Sequence, residues 1–142
     1  MDSLFTASLS LLTSWEDSDG ALFLFEPRPG VFLSEAVGRL GDGAGHLYSE
    51  VGTEIFAKVP PGKQRRVFND WHRMAGYSSA SRQELTLWSK RTMQRGDRAD
   101  FIITAPLVSM GVTTASLALQ LIGIDIVNHK TRASFLQEMQ RG

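Results

Sequence analysis

Asp70, His72, Ser78 and Ser79 fall within ten positions of one another, and an acid, an imidazole and a hydroxyl are the groups a nucleophilic triad requires. Two features argue against that chemistry. There is no GxSxG elbow, and consecutive loop residues seldom hold a base at fixed reach from a nucleophile. The remaining histidines, His46 and His129, lie far from His72, and only Asp70 stands at short spacing from an imidazole, so no metal site is expected. The chain has no cysteine, which removes thiol catalysis, CxxC redox chemistry and disulfide staples. Gly41-Asp42-Gly43-Ala44-Gly45 has the look of a phosphate cradle. It lacks the Lys and Ser/Thr of a P-loop, and Asp42 repels an anion, so it reads as a flexible connector. Asp97 and Asp100 read as turn formers ahead of a strand. No catalytic residue, metal ligand or cofactor is assigned.

What remains is chemistry of binding. Trp71 and Tyr77 fall in a stretch read as a loop, at the carboxyl end of a strand, where open α/β sheets receive ligands. A large ring there is either a lid on the core or an anchor for a partner. Ser78, Ser79 and Ser81 suit the start of the next helix, because a serine oxygen accepts from the orphan amides of a first turn. If one were phosphorylated, Arg73 and Arg82 would lie near the new charge. Trp88, on a stripe with Leu85, reads as core, while Arg91 and Arg95 share one helix face and add a contact for an acidic partner.

The elements that must position these residues follow from length and periodicity. The 142 residues predict one domain with its own core, and 42% hydrophobic with 21% charged residues is ordinary for a globular chain. Net charge is zero but uneven: residues 1–62 hold nine acids and three bases, and residues 63–98 hold three acids and nine bases. A wholly basic domain with aromatic platforms is absent, which argues against nucleic acid as partner. Asp2 and the interrupting Thr6, Ser8 and Ser10 disqualify Leu4 to Leu12 as a secretory signal, no apolar run reaches a membrane span, and a cytoplasmic location is the default.

Phe5, Ala7, Leu9 and Leu11 alternate with Thr6, Ser8 and Ser10, the pattern of a half-buried strand. A turn over residues 16–20 then forms a hairpin with Ala21 to Glu26. Val31 to Leu33 adds a third strand or leads into a helix near Ser34. Leu47, Val51 and Ile55 mark a helix stopped at Pro60 and Pro61. From there the rhythm is strand (64–70), helix (78–96), strand (99–105), helix (109–123), strand (124–127) and helix (131–140). Phe101, Ile102 and Ile103 are consecutive, as expected of a strand covered on both faces, and are expected to run through the middle of the sheet. The fold expected is α/β, a single-domain mixed sheet with flanking helices and an antiparallel β-rich start. The alternating first strand, left at a sheet edge, invites self-association between copies.

Val67, Asn69, Asp70, Trp71, Met74, Gly76 and Tyr77, then Leu85, Trp88, Ile102, Ile103 and Met110-Gly111-Val112, resemble the SpoIIAA-like (STAS-like) family of small bacterial regulatory proteins over roughly residues 64–140. The resemblance implies a mixed sheet with helices, no enzymatic activity, and regulation by a docked protein partner. Family members that are phosphorylated carry an Asp-Ser-Ser-Gly-like turn after the strand, and this chain has Asn69 through Ser79 instead. The site expected on this basis is the segment 70–79 with the following helix start: Asp70, Trp71, His72, Tyr77, Ser78, Ser79 and Arg82. On that reading Trp71→Ala abolishes partner capture at nearly unchanged stability. The alternative is a carrier of a small apolar or lipid-like ligand, held between the β-rich face and the helices by Phe23, Phe25 and Phe32.

Overall fold

Asp17 closes the first hairpin. Its carboxylate accepts the backbone N–H groups of Asp19 at 2.8 Å and Gly20 at 3.0 Å, the side-chain turn that aspartate favours. The computed structural model describes residues 1–141, and in it this hairpin joins β1 (Leu11–Glu16) to β2 (Gly20–Phe25), which pairs antiparallel with β3 (Val31–Leu40). Gly38 lies opposite Gly20 with φ of +68°, and a Cβ on it would stand 2.3 Å from the Asp19 carbonyl oxygen. Only glycine fits there.

The rest of the chain alternates: α1 (Ala44–Phe56), β4 (Arg66–Tyr77), α2 (Ser79–Thr92), β5 (Arg98–Ile103), α3 (Pro106–Leu121), β6 (Asp125–Asn128) and α4 (Arg132–Arg141). Strands β3 to β6 run parallel, and the six strands lie in sequence order across one sheet. Steady progress in one direction with right-handed crossovers puts α1, α2 and α3 on a single face. Tyr48, Ile55, Trp88, Val108 and Val112 from those helices indeed share one core with Leu22, Phe32, Val67 and Trp71 from the strands. On the other face Phe135 and Met139 of α4, with Phe5 of the N-terminal segment, cover Phe23, Phe25, Leu33, Phe68 and Ile102. The consecutive apolar run in β5 is explained by this: Ile102 faces one core while Phe101 and Ile103 pack on the other. The central strands are β3 and β4, and β5 lies one place in from the edge.

Two sequence expectations are corrected and one open alternative is resolved. The N-terminal alternation is not a strand: Ser8 N–H and Leu9 N–H both donate to the Phe5 carbonyl, at 3.0 and 2.8 Å, so this segment turns and brings Phe5 and Leu9 to the same side. Of the two readings open after Val31–Leu33, the strand is the one formed, and Ser34 is buried mid-strand in β3. Asp100 is no turn former, since it is fully buried within β5, whereas Asp97 does accept from Gln94 N–H and also pairs with Arg65.

Candidate functional site

β4 runs through to Tyr77, so there is no loop at 70–76. What sustains so polar a strand is that its buried side chains find partners from distant parts of the chain. Toward α1, Asn69 Oδ1 accepts from Ser34 Oγ and from the Tyr48 hydroxyl, both at 2.7 Å, and the Trp71 indole N–H donates to Ser34 Oγ at 3.0 Å. Trp71 is 4% exposed and meets Phe101 edge-on, with ring centres 5.4 Å apart. It is a core residue, and the partner-anchor reading of Trp71 is overturned. Toward α4, Asp70 is 0% exposed and is held by the His72 ring and by Arg132 Nε at 3.0 Å. The same face buries Glu35, bonded by Arg73 and by Leu4 N–H, and Asp100, bonded by Arg66, Arg98 and His129. Asp70, wholly buried, therefore belongs to a structural polar network and presents no docking face, and His72 stands half-buried beside it. Asp70 points to the layer opposite the one in which Ser78 caps α2, so these residues assemble no triad. Among the described residues no group of three His, Cys, Asp or Glu is placed to hold a metal ion.

The other expected residues gather at the junction of β4 and α2. Ser78 Oγ accepts from Ser81 N–H at 3.2 Å, the helix cap anticipated from sequence. Ser81 is locked in place, donating to the Gly41 carbonyl at 2.7 Å and accepting from Gly45 N–H at 3.0 Å. Gly45 permits this crossing of α1 and α2, because a Cβ would come within 2.8 Å of the Ser81 carbonyl oxygen. Ser79 and Arg82 are exposed on the first turn of α2, and Tyr77 is half-buried beside them. Burial pushes the Tyr77 phenol above its ordinary range, and the charge of Arg82 draws it partly back, so it is neutral at physiological pH.

From that junction a groove of about 760 Å³ runs between α2 and α3. Its α2 wall carries Arg82, Thr86, Leu87 and Lys90, and its α3 wall carries Leu107, Met110, Thr114 and Ala118. Tyr77 reaches across to Gly111, where an added Cβ would stand 2.7 Å from the phenol oxygen. Two bases line this groove and no acid does. Leu107 is 79% exposed, Met110 65%, and Leu121 at the end of α3 88%. Beneath the groove lies an inner recess bounded by Trp71, Leu85, Phe101, Val112 and Leu119, with free volume of about 50 Å³. Arg91 remains on α2, whereas Arg95 falls beyond its end at Thr92, its stem against Gly123. The expected basic pair on one helix face is thereby reduced to Arg91.

No family model matches the chain, and no curated protein matches it. It is similar in structure to an uncharacterised protein of the DUF3478 family from Shewanella loihica, whose crystal structure has a SpoIIAA-like fold. The likeness has a TM-score of 0.59 at 12% identity and covers 87% of this chain and 96% of that one. The likeness shows the SpoIIAA-like fold. It agrees with the fold expected from sequence, and the residues of the groove come from this chain's own geometry.

The α3 side of the groove escaped sequence reasoning. The periodicity put Val112, Ala115, Leu119 and Ile122 inside and Ser109, Thr113, Ser116 and Gln120 outside. Ser116 is in fact buried and Ile122 half exposed. The signal was present in what those two strips left over: Leu107, Met110, Leu117 and Leu121 belong to neither, and no charged residue occurs between Asp100 and Asp125. A helix apolar beyond its buried stripe is offering the surplus to something else. No helix among the described residues is long and apolar enough to cross a membrane.

Proposed function

We propose that this chain is a non-catalytic interaction module that docks an acidic amphipathic helix of a protein partner in the groove between α2 and α3. One observation carries the reading: an apolar α3 wall with Leu107 and Met110 exposed, facing an α2 wall whose charges, Arg82 and Lys90, are all positive. A helix laid in such a groove buries leucines against α3 and sets carboxylates against α2, so apolar area supplies affinity and charge sets orientation. Of the residues expected from sequence, Tyr77 and Arg82 line the groove, and Ser78 and Ser79 stand next to them in the chain at the start of α2. The SpoIIAA-like fold supports the reading, since regulation by docking is what likeness to STAS-like domains implies.

The carrier alternative has less in its favour. Phe32 faces the α1 to α3 core while Phe23 and Phe25 face the opposite one, so the three rings line no common cavity. Within the core shared by α1 to α3, the inner recess of about 50 Å³ is far below the roughly 300 Å³ at which small-molecule pockets begin, so no ligand is carried between that face of the sheet and those helices. Native mass spectrometry of purified protein is expected to show no retained neutral apolar adduct, and one that is retained would favour the carrier.

The docking proposal is tested by fluorescence anisotropy with two synthetic helical peptides that share one leucine face, one bearing glutamates on the other face and one bearing lysines. The glutamate peptide is expected to bind, and the lysine peptide about tenfold or more weakly. Met110→Glu, at an exposed position, is expected to abolish binding with the melting temperature unchanged. Equal affinity for both peptides would count against the charge argument, and undiminished binding by the variant would count against the site.

A further inference from the structure

On the opposite side of the sheet, the turn of the N-terminal segment, the β2–β3 connection and α4 enclose a pocket of about 440 Å³. Its lining mixes apolar side chains, Leu4, Phe5, Leu9, Leu136 and Met139, with the polar Ser8 and Gln140 and two bases, Arg28 and Arg132, and no carboxylate is among the lining residues. Each guanidinium is fixed by a different device. Arg28 Nη1 donates to the Met139 carbonyl, one of the orphan acceptors at the end of α4. Arg132 donates through Nε to Asp70 at 3.0 Å, and its guanidinium carbon lies 5.1 Å from the centre of the Phe5 ring. The anchors use one nitrogen of each group. Among the described residues neither Arg28 nor Arg132 has a further protein acceptor, and their other nitrogens are not sealed in the interior.

We propose that this pocket binds a short aliphatic carboxylate, its head between Arg28 and Arg132 and its chain along Phe5, Leu9 and Leu136. The volume lies within the range of small-molecule sites, roughly 300 to 1,000 Å³. Pre-oriented planar guanidinium groups suit a carboxylate because two parallel N–H donors meet its two oxygens, while Phe5, Leu9 and Leu136 offer the chain an apolar track. A neutral chain of equal length gains only the apolar part. The site is separate from the α2–α3 groove, and its test neither needs nor touches the docking proposal.

The probe is octanoate, with octanol as the neutral control, followed by isothermal titration and by methyl NMR shifts. Octanoate is expected to bind and to shift the methyls of Leu9 and Leu136, with octanol about tenfold weaker. Arg28→Gln is expected to reduce octanoate affinity about tenfold and leave octanol unchanged, a difference that a merely structural cap on α4 would not produce. Should that variant fail to fold, Arg28→Lys keeps the cation without the planar fork and is expected to weaken octanoate several-fold. Met110→Glu, in the groove, is expected to have no effect. Absence of octanoate binding at millimolar concentration, equal affinity for octanoate and octanol, or octanoate shifts centred on α3 would each overturn the proposal.

Discussion

Asp100→Ala is expected to lower the unfolding free energy by about 3–5 kcal/mol, read as a fall in the urea midpoint at unchanged slope. Asp100 is wholly buried and accepts from Arg98 Nε at 2.9 Å, from Arg98 Nη2 at 3.1 Å and from His129 Nε2 at 2.7 Å, with Arg66 at 3.3 Å. The hydrogen bond to Asp100 holds Arg98 above its ordinary pKa. Removing the carboxylate leaves two largely desolvated guanidinium groups with Glu138 as their one close acid, Arg66 at 3.3 Å and Arg98 at 3.4 Å from it. Most of the loss is the penalty of those stranded charges rather than the net worth of the pair. Asp125 provides the control. It also pairs with Arg98, at 4.0 Å, but its side chain is 59% exposed, so Asp125→Ala is expected to cost about 0–1 kcal/mol. Similar losses for the two variants would contradict the assignment of the Asp100 loss to stranded buried charge.

Trp71→Ala is expected to cost about 3–5 kcal/mol, the range for emptying a buried aromatic site. The lost ring abandons its edge contact with Phe101 and its bond to Ser34 Oγ, and Ser34 is itself one link in the buried chain that satisfies Asn69 and Tyr48. Burial raises the Tyr48 phenol well above its ordinary pKa, with the Asn69 bond opposing, so this chain of hydroxyls and amide is neutral. Trp71→Phe keeps most of the volume and gives up the N–H, and it is expected to cost about 1–2 kcal/mol. Circular dichroism is the suitable probe because Trp15 and Trp88 also fluoresce. A Trp71→Ala variant of native stability that no longer bound its partner would instead restore the exposed-anchor reading.

The contrast between Trp71 and the groove shows what local sequence could convey. The hairpin was legible because Asp17 and Gly20 act on their own neighbours, and α1 because Leu47, Val51 and Ile55 repeat at helical spacing. β5 was legible as a buried run because three consecutive apolar residues need cover on both faces. β4 was cut short at Asp70 because Asn69, Asp70, His72 and Arg73 look solvated, and the partners that let them be buried or half-buried, Ser34, Tyr48, Glu35 and Arg132, are 21 to 62 residues away. Two extra residues in β4 relative to β3, one after Asp70 and one after Met74, also break the alternation a reader would follow. At the N-terminus a period-two pattern misled, because Phe5 and Leu9, four apart, meet the core from a turn. The candidate site was half visible: the capping serine and Arg82 are local features, whereas the open wall of α3 depends on how far α2 stands from it, a tertiary property.

The docking groove is tested most directly by following the backbone amide resonances of the whole chain during titration with the glutamate peptide. Shifts are expected to concentrate on Tyr77, Arg82, Leu87, Met110, Thr114 and Ala118, the two walls and the floor of the groove. Shifts centred instead on α4, on the exposed edge of β1 or on no continuous surface would contradict the assignment of this groove as the docking face.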